Sequence, residues 1–140
     1  MVSNEIIMII PNMYIGISET LDFDYLDENN IKNIISIGLK IPNTVLNQLV
    51  LQQDETEDIN FELVNDFIIN SFLKNESIII CEINYNYSLY YACAFLQKYL
   101  KINFLESISF INSKIKNIKN EFSISNKIYL QKLFDYYKKN

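Results

Sequence analysis

The sequence predicts an α/β fold in which helices flank a largely parallel sheet of about five strands. Short runs that are apolar throughout, and rich in isoleucine, indicate strands that are covered on both faces. Longer segments with apolar residues three and four positions apart indicate amphipathic helices. Because one of these helical segments lies between the last two strand runs, the order of the elements favours parallel pairing.

The strands are predicted from short apolar runs, and residues typical of turns separate several of them. The runs are Glu5–Ile10, Met13–Ile17, Asn33–Gly38, Val45–Leu51 and Ser77–Cys81. Turns or loops are predicted at Asn29-Asn30, at Pro42-Asn43 and in the Asn- and Lys-rich stretch 112–121. The early part of the chain therefore supplies most of the sheet.

The helices are predicted from apolar residues at helical spacing, in the segments Ile59–Leu73, Ser88–Lys101, Phe104–Ile115 and Asn126–Tyr137. The apolar stripe of the first segment consists of Ile59, Leu63, Phe67, Ile68 and Phe72. The stripe of the second consists of Leu89, Ala92, Cys93, Leu96 and Leu100. Ser88 and Asn126 suit the N-cap position, because their side-chain oxygens can accept a hydrogen bond from a backbone N–H of the first turn.

The length of 140 residues predicts a single domain that spans residues 1–140. The apolar run Ile6–Ile10 is too short for the core of a signal peptide and is followed by Pro11. No stretch approaches the roughly 20 uncharged apolar residues of a membrane span. Cys81 and Cys93 have no disulfide framework around them, which indicates a cytoplasmic, reducing environment.

The composition excludes several kinds of site. The chain has no His and no Arg, and its 12 basic residues are all Lys. Without His, the catalytic dyads and triads that use it are excluded, and so are metal sites that contain it. Two Cys residues cannot form a zinc site alone. No metal and no cofactor are therefore predicted.

The charges are distributed unevenly along the chain. Residues 1–97 carry three Lys and fourteen acidic residues, whereas residues 98–140 carry nine Lys and three acidic residues. The acidic body disfavours nucleic acid as a partner. The Lys-rich segment is interpreted as a solvated helix face, and contact with an acidic partner is the alternative.

Cys81 ends a predicted strand, and a short turn joins it to the helix that is predicted to start at Ser88. This arrangement directs backbone N–H groups and a helix N-terminus into one loop, which is how proteins bind phosphate and lower the pKa of a thiol. A lone Cys at the end of a strand is also commonly a small buried apolar residue. The local sequence leaves both interpretations open.

A series of motifs from Ile10 onward resembles the dual-specificity protein phosphatases, a family of the cysteine-based protein tyrosine phosphatase superfamily. The resemblance covers nearly the whole chain and implies a three-layer phosphatase fold with a phosphate-binding loop. Its motifs are Ile10 to Gly16, Asn30 to Ser36, Asp58-Ile59 with Phe61, Asp66 to Ile68, Ser77 to Leu100 with Ala94-Phe95-Leu96, and finally Asn126, Tyr129, Gln131 and Leu133.

The family signature of His, Cys, five further residues, Arg and Ser falls on residues 80–88 of this sequence. By this resemblance Cys81 holds the position of the nucleophile, and Ser88 holds the hydroxyl that assists the leaving thiolate. The position of the general acid falls on Gln53, and Asp54 lies next to it. The intervening signature loop consists of Glu82, Ile83, Asn84, Tyr85, Asn86 and Tyr87.

The signature departs from the family at four positions. Ile80 replaces the His, Asn84 the loop Gly, Asn86 the loop Ser and Tyr87 the phosphate-binding Arg. Asn tolerates the positive φ that the loop Gly is expected to need, so the loop backbone can survive the change. The Tyr87 ring is expected to occupy part of the space that a phosphate needs.

The loss of the Arg predicts that phosphate is neither held nor hydrolysed. A phosphate monoester carries a charge of about −1.5 to −2 at neutral pH, and a guanidinium binds it through a planar pair of N–H groups that Lys cannot copy. Glu82 adds a negative charge to the loop. The sequence thus predicts a pseudophosphatase, a protein-binding or regulatory module whose partner is a protein such as a phosphoprotein or a kinase-pathway component. Exposed aromatic side chains around the pocket are expected to suit that interface: Tyr85, Tyr87, Tyr90 and Tyr91. The alternative for Tyr90 and Tyr91 is that they pack in the helix core.

Two alternatives keep a chemical role for Cys81. In the first, the chain is a weakly active tyrosine or dual-specificity phosphatase with Cys81 as nucleophile and Asp54 as acid. The helix N-terminus is then expected to lower the pKa of the Cys81 thiol. In the second, Cys81 is a redox-sensing thiol, which has less support because Cys93, the other Cys, lies well along the following helix.

Overall fold

The sheet has the strand runs that the sequence predicts, with shifted ends. A computed structural model describes residues 6–42, 46–52, 59–83, 87–116 and 127–140. Glu5 and Val45, at the starts of two predicted runs, lie outside these residues. The strands are β1 (Ile7–Ile10), β2 (Met13–Ile17), β3 (Ile31–Ile37), β4 (Asn47–Leu51) and β5 (Ser77–Glu82).

The strands form one mixed sheet in the order β1-β2-β5-β3-β4. β1 is antiparallel to β2, and the other three pairings are parallel. In the centre, Ile80 of β5 pairs with Ile15 of β2 on one side and with Ile35 of β3 on the other. The predicted class, an α/β fold with a mostly parallel central sheet, is confirmed, and β5 lies at its middle.

The helices in the described residues include the predicted ones and a short helix that the sequence pattern does not predict. That helix, α1 (Phe23–Glu28), begins after Asp22, whose side chain accepts hydrogen bonds from the N–H groups of Asp24 and Tyr25. A 3-10 turn over Ser18–Thr20 precedes it. The longer helices are α2 (Phe61–Leu73), α3 (Tyr87–Tyr99), α4 (Phe104–Ile115) and α5 (Lys127–Lys139). None of the helices in the described ranges is long and apolar enough to cross a membrane.

Two apolar cores lie on opposite faces of the sheet. Ile78 and Ile80 of β5 belong to the larger core, which contains side chains of α2, α3, α4 and α5. Ile79 and Cys81 alternate with them and belong to the smaller core, which α1 covers through Leu26. Because successive side chains of a strand point to opposite faces, this alternation gives the three layers that the resemblance implies.

The predicted apolar stripes of two helices need correction. In α2 the buried residues are Phe61, Val64, Asn65, Ile68 and Ser71. Leu63, placed on the stripe by the sequence, is 43% exposed, because the sheet-facing side of α2 is rotated from the predicted one. In α3 every residue from Ser88 to Gln97 is buried, since α2, α4, α5 and the sheet surround this helix. Leu100 follows the end of α3 and is half exposed.

Other predicted boundaries also shift. Ser88 lies inside α3, after Tyr87, and is therefore not its N-cap. Residues 112–115, which the sequence places both in the predicted helix Phe104–Ile115 and in a predicted loop, form the last turn of α4, so the helix prediction is confirmed. Asn126, the predicted cap of the last helix, lies outside the described residues.

Asn side chains join the amino-terminal ends of the parallel strands. Asn12, Asn30 and Asn75 adopt positive φ angles of 75°, 57° and 58°. Asn12 and Asn30 directly precede β2 and β3, and Asn75 lies two residues before β5. Ser77 Oγ donates a hydrogen bond to Asn12 Oδ1 at 3.0 Å, and Asn30 Nδ2 donates one to the Asn75 carbonyl oxygen at 3.1 Å. These bonds fix the three strands relative to one another at this edge of the sheet.

Candidate functional site

The candidate site lies at the opposite edge, where the parallel strands end. β5 ends with Cys81 and Glu82, and α3 begins at Tyr87 a short distance along the chain. Ligand sites of parallel α/β sheets are found at this carboxyl edge, between strand ends and helix N-termini. The structure therefore brings the end of the signature strand and the start of the signature helix to the expected place.

Cys81 is fully buried on the face of the sheet that α1 covers. Its register partners in the adjacent strands are Gly16 and Ser36. A Cβ added to Gly16 would lie only 3.0 Å from Ile79 Cδ1, so this part of the smaller core is tightly packed. The Ser36 hydroxyl is bonded to Gln48 Oε1 at 2.6 Å. The thiol thus lies in an apolar layer beneath the strand.

The environment of Cys81 raises the pKa of its thiol. Burial is the larger cause, and the adjacent carboxylate of Glu82 is the second. The expectation that the helix N-terminus lowers this pKa is therefore wrong, because the thiol points away from the face on which α3 packs. A thiol held protonated is a poor nucleophile, since the thiolate is the reactive form.

Cys93 offers no redox partner for Cys81. It lies in the larger core on the other side of the sheet, and burial raises the pKa of its thiol as well. Both cysteines are free and buried. Because the sheet separates the two thiols, a disulfide between them would require the fold to open.

Glu82 points to the opposite face from Cys81. Its side chain is only 4% exposed, and its Oε1 accepts a hydrogen bond from the backbone N–H of Ser88 at 2.7 Å. Glu82 was predicted only to add a negative charge to the loop, and this contact was missed. The available signal was the strand period: extending the run Ser77–Cys81 by one residue places Glu82 on the face of Ile78 and Ile80.

Ser88 contacts Glu82 through the backbone N–H of Ser88, which donates the hydrogen bond to the carboxylate. Its side-chain Oγ is buried without a hydrogen-bond partner in the described part of the chain. Ser88 was predicted to cap α3 with this hydroxyl; instead, the helix begins one residue earlier and a carboxylate from β5 takes the N–H of Ser88. The resemblance assigns this hydroxyl a role beside the thiolate, and that role stays a prediction.

Tyr87, at the position of the family's Arg, contacts α5. Its ring packs edge-on against the Tyr129 ring with centroids 5.0 Å apart, and the two hydroxyl oxygens are 3.1 Å apart. This contact holds the ring against the last helix, and the expectation that the ring fills part of the phosphate space stays a prediction. Ile80, at the position of the family's His, is fully buried in the larger core.

Of the four tyrosines expected around the pocket, Tyr90 and Tyr91 take the alternative position, in the helix core. Tyr90 and Tyr91 are buried, because α3 is enclosed on all sides. Tyr90 packs against the Tyr129 ring, and Tyr91 packs edge-on against Phe61 of α2. Burial is the main reason that the pKa of Tyr90 rises to about 12.

Several predicted site residues lie outside the residues that the structure describes. They are Gln53, Asp54, Asn84, Tyr85 and Asn86. Ile83, which follows β5, is 54% exposed. Within the described ranges no group of three or more Cys, Asp and Glu side chains is placed to hold a metal ion.

Comparisons with known proteins identify the fold. No family model matches the sequence, and no curated protein sequence matches it. A leucine rich repeat and phosphatase domain containing protein from Entamoeba histolytica is 21% identical, with a TM-score of 0.80 over 96% of this chain and 92% of that one.

Two human structures are equally similar in shape. The tyrosine phosphatase-like serine/threonine/tyrosine-interacting protein is 16% identical, with a TM-score of 0.82 over 96% of each chain. Human DUSP28 is 12% identical, with a TM-score of 0.82 over 99% of this chain and 96% of that one. The chain therefore has the fold of the dual-specificity phosphatases.

Proposed function

We propose that this chain is a pseudophosphatase, a phosphatase-like module that binds a protein partner and does not turn over phosphate esters. The observation that carries the proposal is the position of Cys81. The thiol is fully buried on the α1 face of the sheet, while α3, which carries the last two signature residues, Tyr87 and Ser88, packs on the other face. The sheet therefore lies between this sulfur and the core into which α3 packs.

The electrostatics of the site support the same proposal. Attack on a phosphate monoester requires a thiolate, and the pKa of Cys81 is raised by burial and by Glu82. The chain contains no Arg to neutralise the phosphate, and the side chain at the Arg position, Tyr87, is engaged with Tyr129. Loss of one preorganised charge contact typically costs about 3–4 kcal/mol of transition-state stabilisation.

Exposed apolar side chains at the carboxyl edge support binding of a protein. Leu39 follows β3, Ile83 follows β5, and the two are 52% and 54% exposed. β3 and β5 are adjacent, so these side chains extend from the same part of the molecule. Apolar residues of this kind form the centre of protein interfaces. Recognition through them is independent of phosphate, even where the partner is a phosphoprotein or a kinase-pathway component.

We propose that residues 1–140 form one domain and that the protein works in a reducing, cytoplasmic setting. The two cores share a single sheet, which argues for one folding unit. The two cysteines are free thiols, as is usual in reducing compartments.

Hydrolysis of an aryl phosphate tests the catalytic part of the proposal. We expect the wild-type protein to be indistinguishable from its Cys81→Ser variant, which serves as the matched control. A variant that restores the signature, with Ile80→His, Asn84→Gly, Asn86→Ser and Tyr87→Arg, shows whether the scaffold can support the reaction. Wild-type turnover well above that of Cys81→Ser would contradict the proposal.

Affinity purification with a surface variant tests the binding part. A partner retained by the wild type is expected to be lost with Leu39→Lys/Ile83→Lys, because two charges are placed in the apolar contact. Leu73→Lys, which changes an exposed residue at the far end of α2, is the control that should keep the partner. Pretreating the partner with an active phosphatase should leave binding unchanged; binding that requires phosphate would contradict recognition through this apolar surface.

A further inference from the structure

We propose that Glu82 is an internal anion that occupies the N-terminus of α3 and closes it to phosphate from solution. The inference stands apart from the proposed function, because anion binding and turnover are measured separately.

The direction of β5 places the Glu82 carboxylate next to the N-terminus of α3. The strand runs for six residues, Ser77–Glu82, and its final residue points to the face on which α3 packs. Glu82 Oε1 lies 2.7 Å from the backbone nitrogen of Ser88. This distance is at the short end of the usual range for N–H···O bonds, as expected when the acceptor is charged.

The contact satisfies two groups that would otherwise be costly to bury. Glu82 is almost completely removed from solvent, and a buried carboxylate is stable only with hydrogen-bond donors around it. The first N–H groups of a helix have no partner within the helix and carry partial positive charge. In the absence of any Arg or His in the chain, a backbone N–H at the start of α3 supplies such a donor.

The same N–H cannot bind a second anion while it binds Glu82. Helix N-termini are common phosphate sites because they combine free N–H groups with a favourable dipole. Here one of those groups is taken, and an incoming phosphate would meet a carboxylate of like charge at short range in a poorly solvated place. The contact also joins the end of β5 to the first turn of α3, so this turn is held without any ligand.

Anion binding to a pair of variants tests the proposal directly. Tyr87→Arg restores the cation at the Arg position, and Tyr87→Arg/Glu82→Ala also removes the carboxylate. Titration with inorganic phosphate in a calorimeter, at constant ionic strength, should show at least tenfold tighter binding to the double variant. Tyr87→Arg/Glu28→Ala, which removes an exposed carboxylate of α1, should behave as Tyr87→Arg does. Equal affinities for Tyr87→Arg with and without Glu82 would overturn the proposal.

A measurement on the wild-type protein applies even where the double variant does not fold. The Ser88 amide proton should exchange with solvent at least tenfold more slowly in the wild type than in Glu82→Gln, which keeps the shape of the side chain but not its charge. Addition of phosphate to the wild type should leave the Ser88 amide resonance unchanged. A Ser88 amide that exchanges as fast as an exposed amide, or a saturable shift of its resonance with phosphate, would show that the helix N-terminus is open.

Discussion

Cys81 and Glu82 are neighbours in the chain, but their side chains leave β5 in opposite directions. The thiol enters the smaller core and the carboxylate reaches the start of α3. Each position is stable for a different reason, since the thiol is a small apolar group and the carboxylate has a backbone donor. The alternation of side chains along β5 therefore determines that the carboxylate, and not the thiol, faces the start of α3.

The burial of Cys81 predicts slow modification of its thiol. In a Cys93→Ser background, we expect a disulfide reagent such as dithionitrobenzoate to react with native Cys81 about 100-fold more slowly than with the unfolded chain, because reaction requires local opening and a thiolate. The rate in urea above the unfolding transition gives the reference. Equal rates in the two states would contradict the buried position.

At the scale of elements, the strand runs and the long helices were predictable from the sequence, because each is a long or strongly apolar pattern. The short helix α1 was not predicted. It has only six residues, and tertiary packing of Leu26 against the smaller core stabilises it more than its own pattern does. The prediction of the buried face of α2 was also wrong. A helix sequence with apolar residues on many sides does not indicate which side packs against the sheet.

The candidate site was predictable in position but not in its contacts. Cys81 and Ser88 lie within one residue of the end of β5 and the start of α3, where the sequence predicts them. The partner of the α3 N-terminus was not predicted, because capping rules examine the residues just before a helix and not a carboxylate on the preceding strand. The burial of Tyr90 and Tyr91 depends on α2 and α5, which are distant in the sequence.

The contact between Tyr87 and Tyr129 predicts energetic coupling between α3 and α5. In a double-mutant cycle with Tyr87→Phe and Tyr129→Phe, we expect a coupling free energy of about 1 kcal/mol, the usual net contribution of a hydrogen bond. Urea denaturation provides the free energies of unfolding. The control pair combines Tyr87→Phe with Tyr14→Phe, which lies on the other face of the sheet and should show additivity. Additivity for Tyr87 and Tyr129 would contradict the contact.

For the whole molecule, the thiols and tyrosine hydroxyls with raised pKa values have a common effect on stability. Burial raises the pKa of both thiols, and the pKa of Tyr90 and of Tyr136 rises to about 12. Above about pH 8.5 the unfolded chain loses thiol protons that the folded protein keeps, so the folded state binds more protons. Stability is therefore expected to fall as the pH rises from about 8.5, and further above about pH 10 as tyrosines ionise in the unfolded chain.

Urea denaturation at pH 8 and pH 10 measures this dependence. Each buried thiol should contribute a loss of up to about 1.4 kcal/mol in the free energy of unfolding per pH unit above its unfolded pKa. The Cys81→Ala/Cys93→Ala variant should lose clearly less stability over the same interval. A wild-type free energy of unfolding that does not change between these pH values would contradict the raised pKa values.

The Asn side chains at the amino-terminal ends of the strands have a consequence for how this protein could diverge. The chain has two Gly and 19 Asn residues, and Asn takes the left-handed positions before β2 and β3 and at the turn before β5. The bonds of Asn12 and Asn30 set the alignment of the strands at the edge far from Cys81. Because these bonds lie far from the signature loop, we expect substitutions at the carboxyl edge to leave them in place. A sheet aligned at one edge in this way leaves the sequence of the other edge freer to vary.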